Sequence, residues 1–118
     1  MNSITLITII GILAALLLLR RKFFSGGSTM EELKSVKARG AALVDVRSIG
    51  EYNQAHAPGS RNIPLDQLSS RLKELDRAKP IIVCCASGGR SGMAKQILEK
   101  EGFSEVYNAG PWQKLLEL

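Results

Sequence analysis

The sequence predicts an α/β fold, a parallel sheet with helices on both of its faces. Two observations support this fold class. Short apolar runs at residues 42–46 and 81–85 are typical of buried strands, and segments with helical periodicity separate them. Strands that alternate with helices in this way pair in parallel. Because ligands bind at the carboxyl ends of such strands, the residues that follow the two runs are the first candidates for a functional site.

A long apolar segment precedes this domain. Residues 2–19 carry no charged side chain, and Arg20, Arg21 and Lys22 follow them. As a helix, this segment is about 27 Å long, close to the thickness of the membrane hydrocarbon. The charges follow the apolar run and no Ala-x-Ala site is present, which favours an uncleaved anchor over a secretory signal peptide. We therefore expect one transmembrane helix in contact with membrane lipid.

The basic cluster also predicts the orientation of the chain. Under the positive-inside rule, Arg20, Arg21 and Lys22 lie in the cytoplasm. We therefore expect a single-pass protein of the cell membrane with its N-terminus outside and its globular domain in the cytoplasm. The expected organisation is an anchor with its basic flank over residues 1–22, a linker over 23–28, and one globular domain over 29–118.

Composition and charge exclude several classes of function. The net charge is +5, but aromatic residues make up only 5% of the chain and do not interleave with a basic patch, so no nucleic acid is expected as a partner. Two adjacent cysteines and one histidine provide neither a disulfide framework nor a set of zinc ligands, so no metal site is expected. An unbridged thiol suits a reducing compartment.

Capping signals mark the first two helices of the predicted domain. Thr29 and Glu32 form a capping-box pattern that opens a helix, and Gly40 is a natural end for it. Ser48 and Glu51 repeat the pattern directly after the first strand. A second helical turn is therefore expected there, followed by a turn-rich loop.

The remaining elements follow from periodicity and from helix-ending residues. A helix that ends before Pro80 is predicted by four leucines at helical spacing, Leu65, Leu68, Leu72 and Leu75. After the second strand, a helix ends at Gly102. A last strand over 105–108 and a short helix over 112–118 complete the domain.

The most informative segment is the loop between the second strand and the helix after it. Cys85 ends the strand, and four small residues separate it from Arg90. Such a loop directs successive backbone N–H groups at one point, close to the positive end of the helix dipole. A cysteine in this setting ionises more easily than a free thiol and acts as a nucleophile. The alternative, an inert buried thiol, fits Cys84, which points to the opposite face of the strand.

Three stretches together resemble the rhodanese family, over roughly residues 29–117. The first is Asp45-Val46-Arg47 with Glu51-Tyr52, and the second is the run His-Ala-Pro-Gly-Ser-Arg-Asn-Ile-Pro at residues 56–64. The third is the loop from Cys85 to Ser91 with residues 102–112 behind it.

The resemblance implies a sulfurtransferase without an organic cofactor. Sulfane sulfur from thiosulfate, a persulfide or a polysulfide would form a persulfide on Cys85 and then pass to a thiol, a protein or cyanide. The resemblance also implies that the loop binds the thiolate and the substrate through Ala86, Ser87, Gly88, Gly89, Arg90 and Ser91. Ala86 stands where the family often has a basic residue, which weakens the binding of an anionic donor such as thiosulfate.

Two rival functions stay open beside this one. Related phosphatases and arsenate reductases have five residues between the cysteine and the arginine, and this loop has four, which disfavours phosphoryl transfer. The other rival is a membrane-tethered module that binds or senses thiols without catalysis. The intact Cys85 and Arg90 argue against it.

Several further residues have both a functional and a structural interpretation. Asp45 and Arg47 are candidates for the wall of the site, although pairing of Arg47 with Glu51 is the favoured alternative. His56 is expected to make structural hydrogen bonds rather than to carry protons, and Trp112 to pack in the core. Ser91 either donates a hydrogen bond to bound sulfur or caps its own helix.

Overall fold

The computed structural model describes residues 2–24 and 27–118, and it describes side chains outside 18–24. Within these residues, four strands form one parallel sheet in the order β2-β1-β3-β4. The strands are β1 (Ala42–Asp45), β2 (Ser60–Asn62), β3 (Ile81–Cys85) and β4 (Val106–Pro111). The predicted parallel α/β sheet is thus confirmed, and β3 lies at its centre.

Helices connect the strands. The α-helices are α1 (Ser3–Phe24), α2 (Met30–Ala38), α3 (Ile49–Gln54), α4 (Leu65–Leu68) and α5 (Gly89–Lys100). Two 3₁₀ turns, Leu72–Glu74 and Trp112–Glu117, complete the described elements.

The sheet separates two apolar clusters, as the alternation of side chains along a strand requires. Val83 and Cys85 of β3 pack with α4, α5 and their neighbours on one face, and Leu98 is fully buried there. Ile82 and Cys84 pack with α2 and the C-terminal turn on the other face. The two adjacent thiols therefore lie on opposite sides of the sheet, as predicted.

The predicted leucine-rich helix over 65–75 is interrupted. α4 ends at Leu68, and a separate 3₁₀ turn covers Leu72–Glu74. At the break, the Ser70 hydroxyl donates a hydrogen bond to the Gln67 carbonyl at 2.9 Å. Serine side chains that bind nearby backbone groups favour turns over helix continuation, which explains the difference from the leucine periodicity.

The last strand extends further than predicted and contains an irregularity. β4 runs from Val106 to Pro111, and its register against β3 shifts between Val83 and Cys84. Val83 lies opposite Asn108, whereas Cys84 lies opposite Gly110. The extra residue of this bulge changes the direction of the chain at Asn108, beside the Cys85 loop.

The predicted membrane anchor is not supported. Among the residues that the structure describes, none of the helices has the length and apolarity that a membrane span requires. The structure therefore does not support the predicted transmembrane helix or the predicted lipid partner. The predicted single-pass localisation is wrong.

Two related expectations fall on residues whose placement is not described. The side chains of Arg20, Arg21 and Lys22, which set the predicted orientation, lie outside the described residues. Residues 25 and 26 of the predicted linker lie outside them as well.

Leu98 provides a direct test of the packing between α5 and the sheet. We expect Leu98→Ala to lower the free energy of unfolding by about 2–5 kcal/mol, because it opens a cavity in a fully buried site. Leu116→Ala is the matched control, since Leu116 is 55% exposed and its truncation should change stability by less than about 0.5 kcal/mol. Urea unfolding of the full chain measures both, and equal losses would contradict this packing.

Candidate active site

Cys85 occupies the carboxyl end of the central strand. The chain then turns through residues 86–88, and α5 begins at Gly89. Gly88 makes this turn with a φ of +110°, a conformation that residues with a side chain rarely adopt. The turn points the Gly88 N–H back at the sulfur, so a glycine here serves the site as well as the fold.

Hydrogen-bond donors surround the sulfur of Cys85. The Gly88 N–H donates to Sγ at 2.9 Å, and the Ser91 hydroxyl oxygen lies 3.2 Å from Sγ. Burial by itself raises the pKa of Cys85. The hydrogen bonds from the Ser91 hydroxyl and from the amides of Ser91, Gly88 and Ser87 outweigh burial, so the pKa lies below its ordinary value.

The amides that act on the sulfur differ in part from the predicted set. Ser87, Gly88 and Ser91 are brought to Sγ. Ala86 and Gly89 are exposed on the loop, and neither has a described hydrogen bond to the sulfur. The sulfur itself is enclosed, since Cys85 is only 1% exposed.

Ser91 has one hydroxyl proton and two acceptors within reach. Its oxygen lies 3.2 Å from Cys85 Sγ and 3.2 Å from the Gly88 carbonyl oxygen. When Cys85 is a thiol, its S–H can donate to Ser91, and Ser91 can donate to Gly88. When Cys85 is a thiolate, the Ser91 proton must turn to the sulfur, and the Gly88 carbonyl keeps the Gly92 N–H, which donates to it at 2.9 Å.

Asn108 is a more distant neighbour of the same carbonyl. Its Nδ2 lies 3.5 Å from the Gly88 carbonyl oxygen, and its Oδ1 accepts the Gly110 N–H at 2.8 Å. The bulge in β4 places Asn108 here, and only 7% of the residue is exposed. Nothing in the local sequence marks Asn108 as a residue of the site, because no local pattern indicates a bulge that depends on pairing with β3.

Arg90 turns away from the sulfur to Glu51 of α3. The two guanidinium nitrogens donate to the two carboxylate oxygens at 2.6 and 3.0 Å. Glu51 also closes the capping box of α3 by accepting the Ser48 N–H at 3.2 Å. The Arg90 hydrogen bonds, followed by that from the Ser48 amide, lower the pKa of Glu51 to about 2. One carboxylate thus caps α3 and anchors the loop.

Asp45 and Arg47 form a buried ion pair. The expected pairing of Arg47 with Glu51 is limited to the Glu51 backbone carbonyl, 3.5 Å from Nη1, because the Glu51 carboxylate binds Arg90. Arg47 Nη2 donates to Asp45 Oδ2 at 2.7 Å and to the Ala55 carbonyl at 2.8 Å. Its guanidinium lies 4.8 Å from the centre of the Trp112 ring. The structure places this pair on the Cys84 side of the sheet and does not bring it to the sulfur of Cys85.

Cys84 has the opposite electrostatic setting from Cys85. The residue is fully buried among apolar side chains. Burial, and secondarily the charge of Asp45, raise the pKa of the Cys84 thiol far above its ordinary value. Cys84 therefore stays protonated, whereas its neighbour is set up to ionise.

His56 makes structural contacts in the loop before β2. Its Nδ1 lies 2.8 Å from the Tyr52 carbonyl oxygen, and its ring stacks on the Tyr52 ring at 3.8 Å. The Tyr52 hydroxyl in turn donates to the Ser60 carbonyl. These contacts agree with the structural role predicted for His56.

A cleft of about 310 Å³ opens beside Arg90. The segment after β1, the segment after β2 and the Cys85 loop all contribute to it. Its lining residues are Val46, Ser48, Pro64, Leu65, Asp66 and Arg90. The cleft therefore lies at the carboxyl edge of the sheet, where ligands bind in folds of this class.

Together, the fold and the site define a small parallel α/β protein with a cysteine of lowered pKa at the end of a central strand. The rhodanese-like domain family matches residues 29–110. The chain is 46% identical over 70 residues to the uncharacterized protein YqhL of Bacillus subtilis, a match covering 59% of this chain and 56% of YqhL. It is 33% identical over 78 residues to the thiosulfate sulfurtransferase GlpE of Pseudomonas syringae, covering 66% of this chain and 74% of GlpE.

The fold is also similar to that of a solved sulfurtransferase structure. The human single-domain sulfurtransferase TSTD1 superimposes with a TM-score of 0.63 and 31% identity, over 79% of this chain and 96% of that protein. The chain belongs to the rhodanese-like domain family, as the resemblance in the sequence predicts. The match spans little more than half the length of YqhL.

The hydrogen bond of the Ser91 hydroxyl gives a testable effect on the Cys85 thiol. In a Cys84→Ala background, we expect Ser91→Ala to raise the pKa of Cys85, because the thiolate loses the hydroxyl donor 3.2 Å away. Alkylation by iodoacetamide near neutral pH should slow about two- to tenfold, the usual range for loss of one hydrogen bond. The pH profile of alkylation measures this change.

Asn108→Ala is the matched control, because its Nδ2 contact of 3.5 Å is to the Gly88 carbonyl, which keeps the Gly92 N–H at 2.9 Å. Its effect on the pKa of Cys85 should be the smaller of the two. An equal effect would show that general disruption of the loop, and not loss of the hydroxyl, raises the pKa.

The ion pair between Glu51 and Arg90 predicts a pH dependence of stability. The pKa of Glu51 is about 2 in the folded chain and 4.5 ordinarily, so its stabilising effect is complete above about pH 4.5. This effect is lost as the pH falls through about 2. Glu51→Gln should therefore be less stable than the parent at neutral pH, and the difference should shrink with acidification.

Urea unfolding of the full chain over a pH series measures this difference. Glu99→Gln is the charge-matched control, because Glu99 is exposed near the far end of α5. A constant deficit of Glu51→Gln at every pH would contradict the role of the carboxylate charge.

Proposed function

We propose that this chain is a sulfurtransferase that carries sulfane sulfur as a persulfide on Cys85. The observation that carries the proposal is the setting of the sulfur. Sγ accepts the Gly88 N–H at 2.9 Å, lies 3.2 Å from the Ser91 hydroxyl and has a lowered pKa. A thiolate held in this way is a nucleophile without a separate general base.

In the first half-reaction, the Cys85 thiolate attacks the outer sulfur of a donor. With thiosulfate, a new S–S bond forms to Cys85, the sulfur–sulfur bond of the donor breaks, and sulfite leaves with the bonding electron pair. The loop amides and the Ser91 hydroxyl then stabilise the persulfide anion, which carries the same charge as the thiolate it replaces.

In the second half-reaction, an acceptor thiolate attacks the outer sulfur of the persulfide. The acceptor gains the sulfur, the Cys85 S–S bond breaks, and Cys85 leaves as a thiolate. The hydrogen bonds from Gly88 and Ser91 favour this step too, because they stabilise the leaving group at the same position. Both half-reactions thus use one set of donors.

The site offers less support to the two rival functions. Four residues separate Cys85 from Arg90, and the Arg90 guanidinium faces Glu51 rather than the centre of the loop. A tetrahedral phosphate or arsenate would need that guanidinium inside the loop. A lowered pKa at Cys85 also speaks against a thiol that serves only for binding.

Intact-mass spectrometry of the full chain tests the proposal. We expect incubation with thiosulfate or a polysulfide to add the mass of one sulfur atom, and cyanide to remove it. Cys85→Ser should gain no sulfur, because it lacks the nucleophile. Cys84→Ala is the matched control and should load normally, since Cys84 is buried on the other face of the sheet.

Two outcomes would contradict the proposal. The first is a folded parent chain that gains no sulfur from either donor. The second is sulfur that loads equally on Cys85→Ser and is lost in Cys84→Ala, which would move the carrier to the other thiol.

A further inference from the structure

The cleft beside Arg90 joins three segments at the carboxyl edge of the sheet. Val46 and Ser48 follow β1, Asp66 lies in α4 after β2, and Arg90 belongs to the Cys85 loop. Its volume of about 310 Å³ is at the lower end of the range for small-molecule sites. A ligand of a few non-hydrogen atoms therefore fits.

The cleft borders the Cys85 loop at Arg90. Arg90 lines the cleft and is five residues from Cys85 in a loop tied down by the Gly88 hydrogen bond. Val46 lines it from the other side and packs in the same apolar cluster as Cys85. A molecule in the cleft thus lies beside the loop that would hold the outer sulfur of a persulfide.

The charges around the cleft do not cancel. The charge of Arg90 is matched by Glu51, which binds both guanidinium nitrogens and stays ionised because its pKa is about 2. The Ser48 hydroxyl also donates to Glu51, at 3.0 Å. The carboxylate of Asp66 is exposed and has no described partner, so the charges of Arg90, Glu51 and Asp66 sum to one negative charge at the cleft.

The other side of the site does not offset this charge. Ala86, directly after Cys85, has no charge and is exposed. The loop amides stabilise one sulfur anion. A substrate group in the cleft meets apolar side chains, Ser48, the Arg90 guanidinium already paired with Glu51, and the Asp66 carboxylate. An anionic substituent is repelled there, and a cationic one is attracted.

We propose that this cleft receives the sulfur acceptor, and that Asp66 makes it select small thiols with a positively charged group over anionic thiols. The proposal rests on the proposed function and adds the class of its acceptor. In the transfer, the acceptor thiolate attacks the outer sulfur of the Cys85 persulfide. A bond forms between these two sulfurs, the Cys85 S–S bond breaks, and Cys85 regains its thiolate.

The test uses three acceptors of similar size, cysteamine, mercaptoethanol and mercaptopropionate, whose side groups are cationic, neutral and anionic. The full chain is first loaded with sulfur, and the load is verified by intact mass. The rate constant of sulfur removal is then measured for each acceptor with the parent and with Asp66→Asn. The ratio of the two rate constants cancels the intrinsic reactivity of each thiol.

We expect Asp66→Asn to slow removal by cysteamine about three- to fivefold and to speed removal by mercaptopropionate by a similar factor. Removal by mercaptoethanol should change little. Added salt should reduce both effects, because an exposed carboxylate is screened. Glu99→Gln, which removes one exposed charge elsewhere, should leave all three ratios near one.

Other results overturn the proposal. Equal changes for all three acceptors would show that Asp66 acts on the loop rather than on the charge of the acceptor. Unchanged rates would show that the acceptor does not meet Asp66. A chain that never loads sulfur would refute the proposed function at the first step, before any acceptor is compared.

Discussion

The site depends above all on the hydrogen bonds to the sulfur of Cys85. Burial of a thiol disfavours its charged form, and Cys84 shows the result when no donor compensates for burial. At Cys85, one residue later, hydrogen bonds from the Gly88 amide and the Ser91 hydroxyl outweigh burial and lower the pKa of the thiol. Two neighbouring residues of the same type thus have pKa values shifted in opposite directions because they face different sides of the sheet.

The surrounding structure keeps these donors in place. Gly88 holds a positive φ, so its N–H points at the sulfur, and α5 begins immediately after it. Arg90 ties the loop to α3 through Glu51, and Glu51 also caps α3 through Ser48. A chain of contacts therefore links a capping box near the end of β1 to the reactive thiol.

Much of the fold was predictable, because it depends on local patterns. The two apolar runs, the capping box of Ser48 and Glu51, and the opposite directions of Cys84 and Cys85 follow from periodicity and alternation. The leucine periodicity after residue 64 was misleading, because Ser70 binds the Gln67 carbonyl and the helix stops. Local competition of this kind is not visible in an apolar pattern.

The contacts of the site were less predictable, because they join distant parts of the chain. Glu51 was recognised as a capping residue, but its pairing with Arg90 depends on how α3 and the loop pack at the edge of the sheet. Asn108 depends on a bulge set by strand pairing. The apolar N-terminal segment predicted a membrane helix that the described residues do not support.

The most direct test of this account is the pKa of the Cys85 thiol, measured in the full chain with Cys84→Ala so that one thiol titrates. The rate of alkylation by iodoacetamide as a function of pH gives this value. We predict a pKa clearly below about 8.5, the usual value of a free cysteine. A pKa at or above that value would show that burial outweighs the loop donors, and would contradict the account of Cys85 as an activated sulfur carrier.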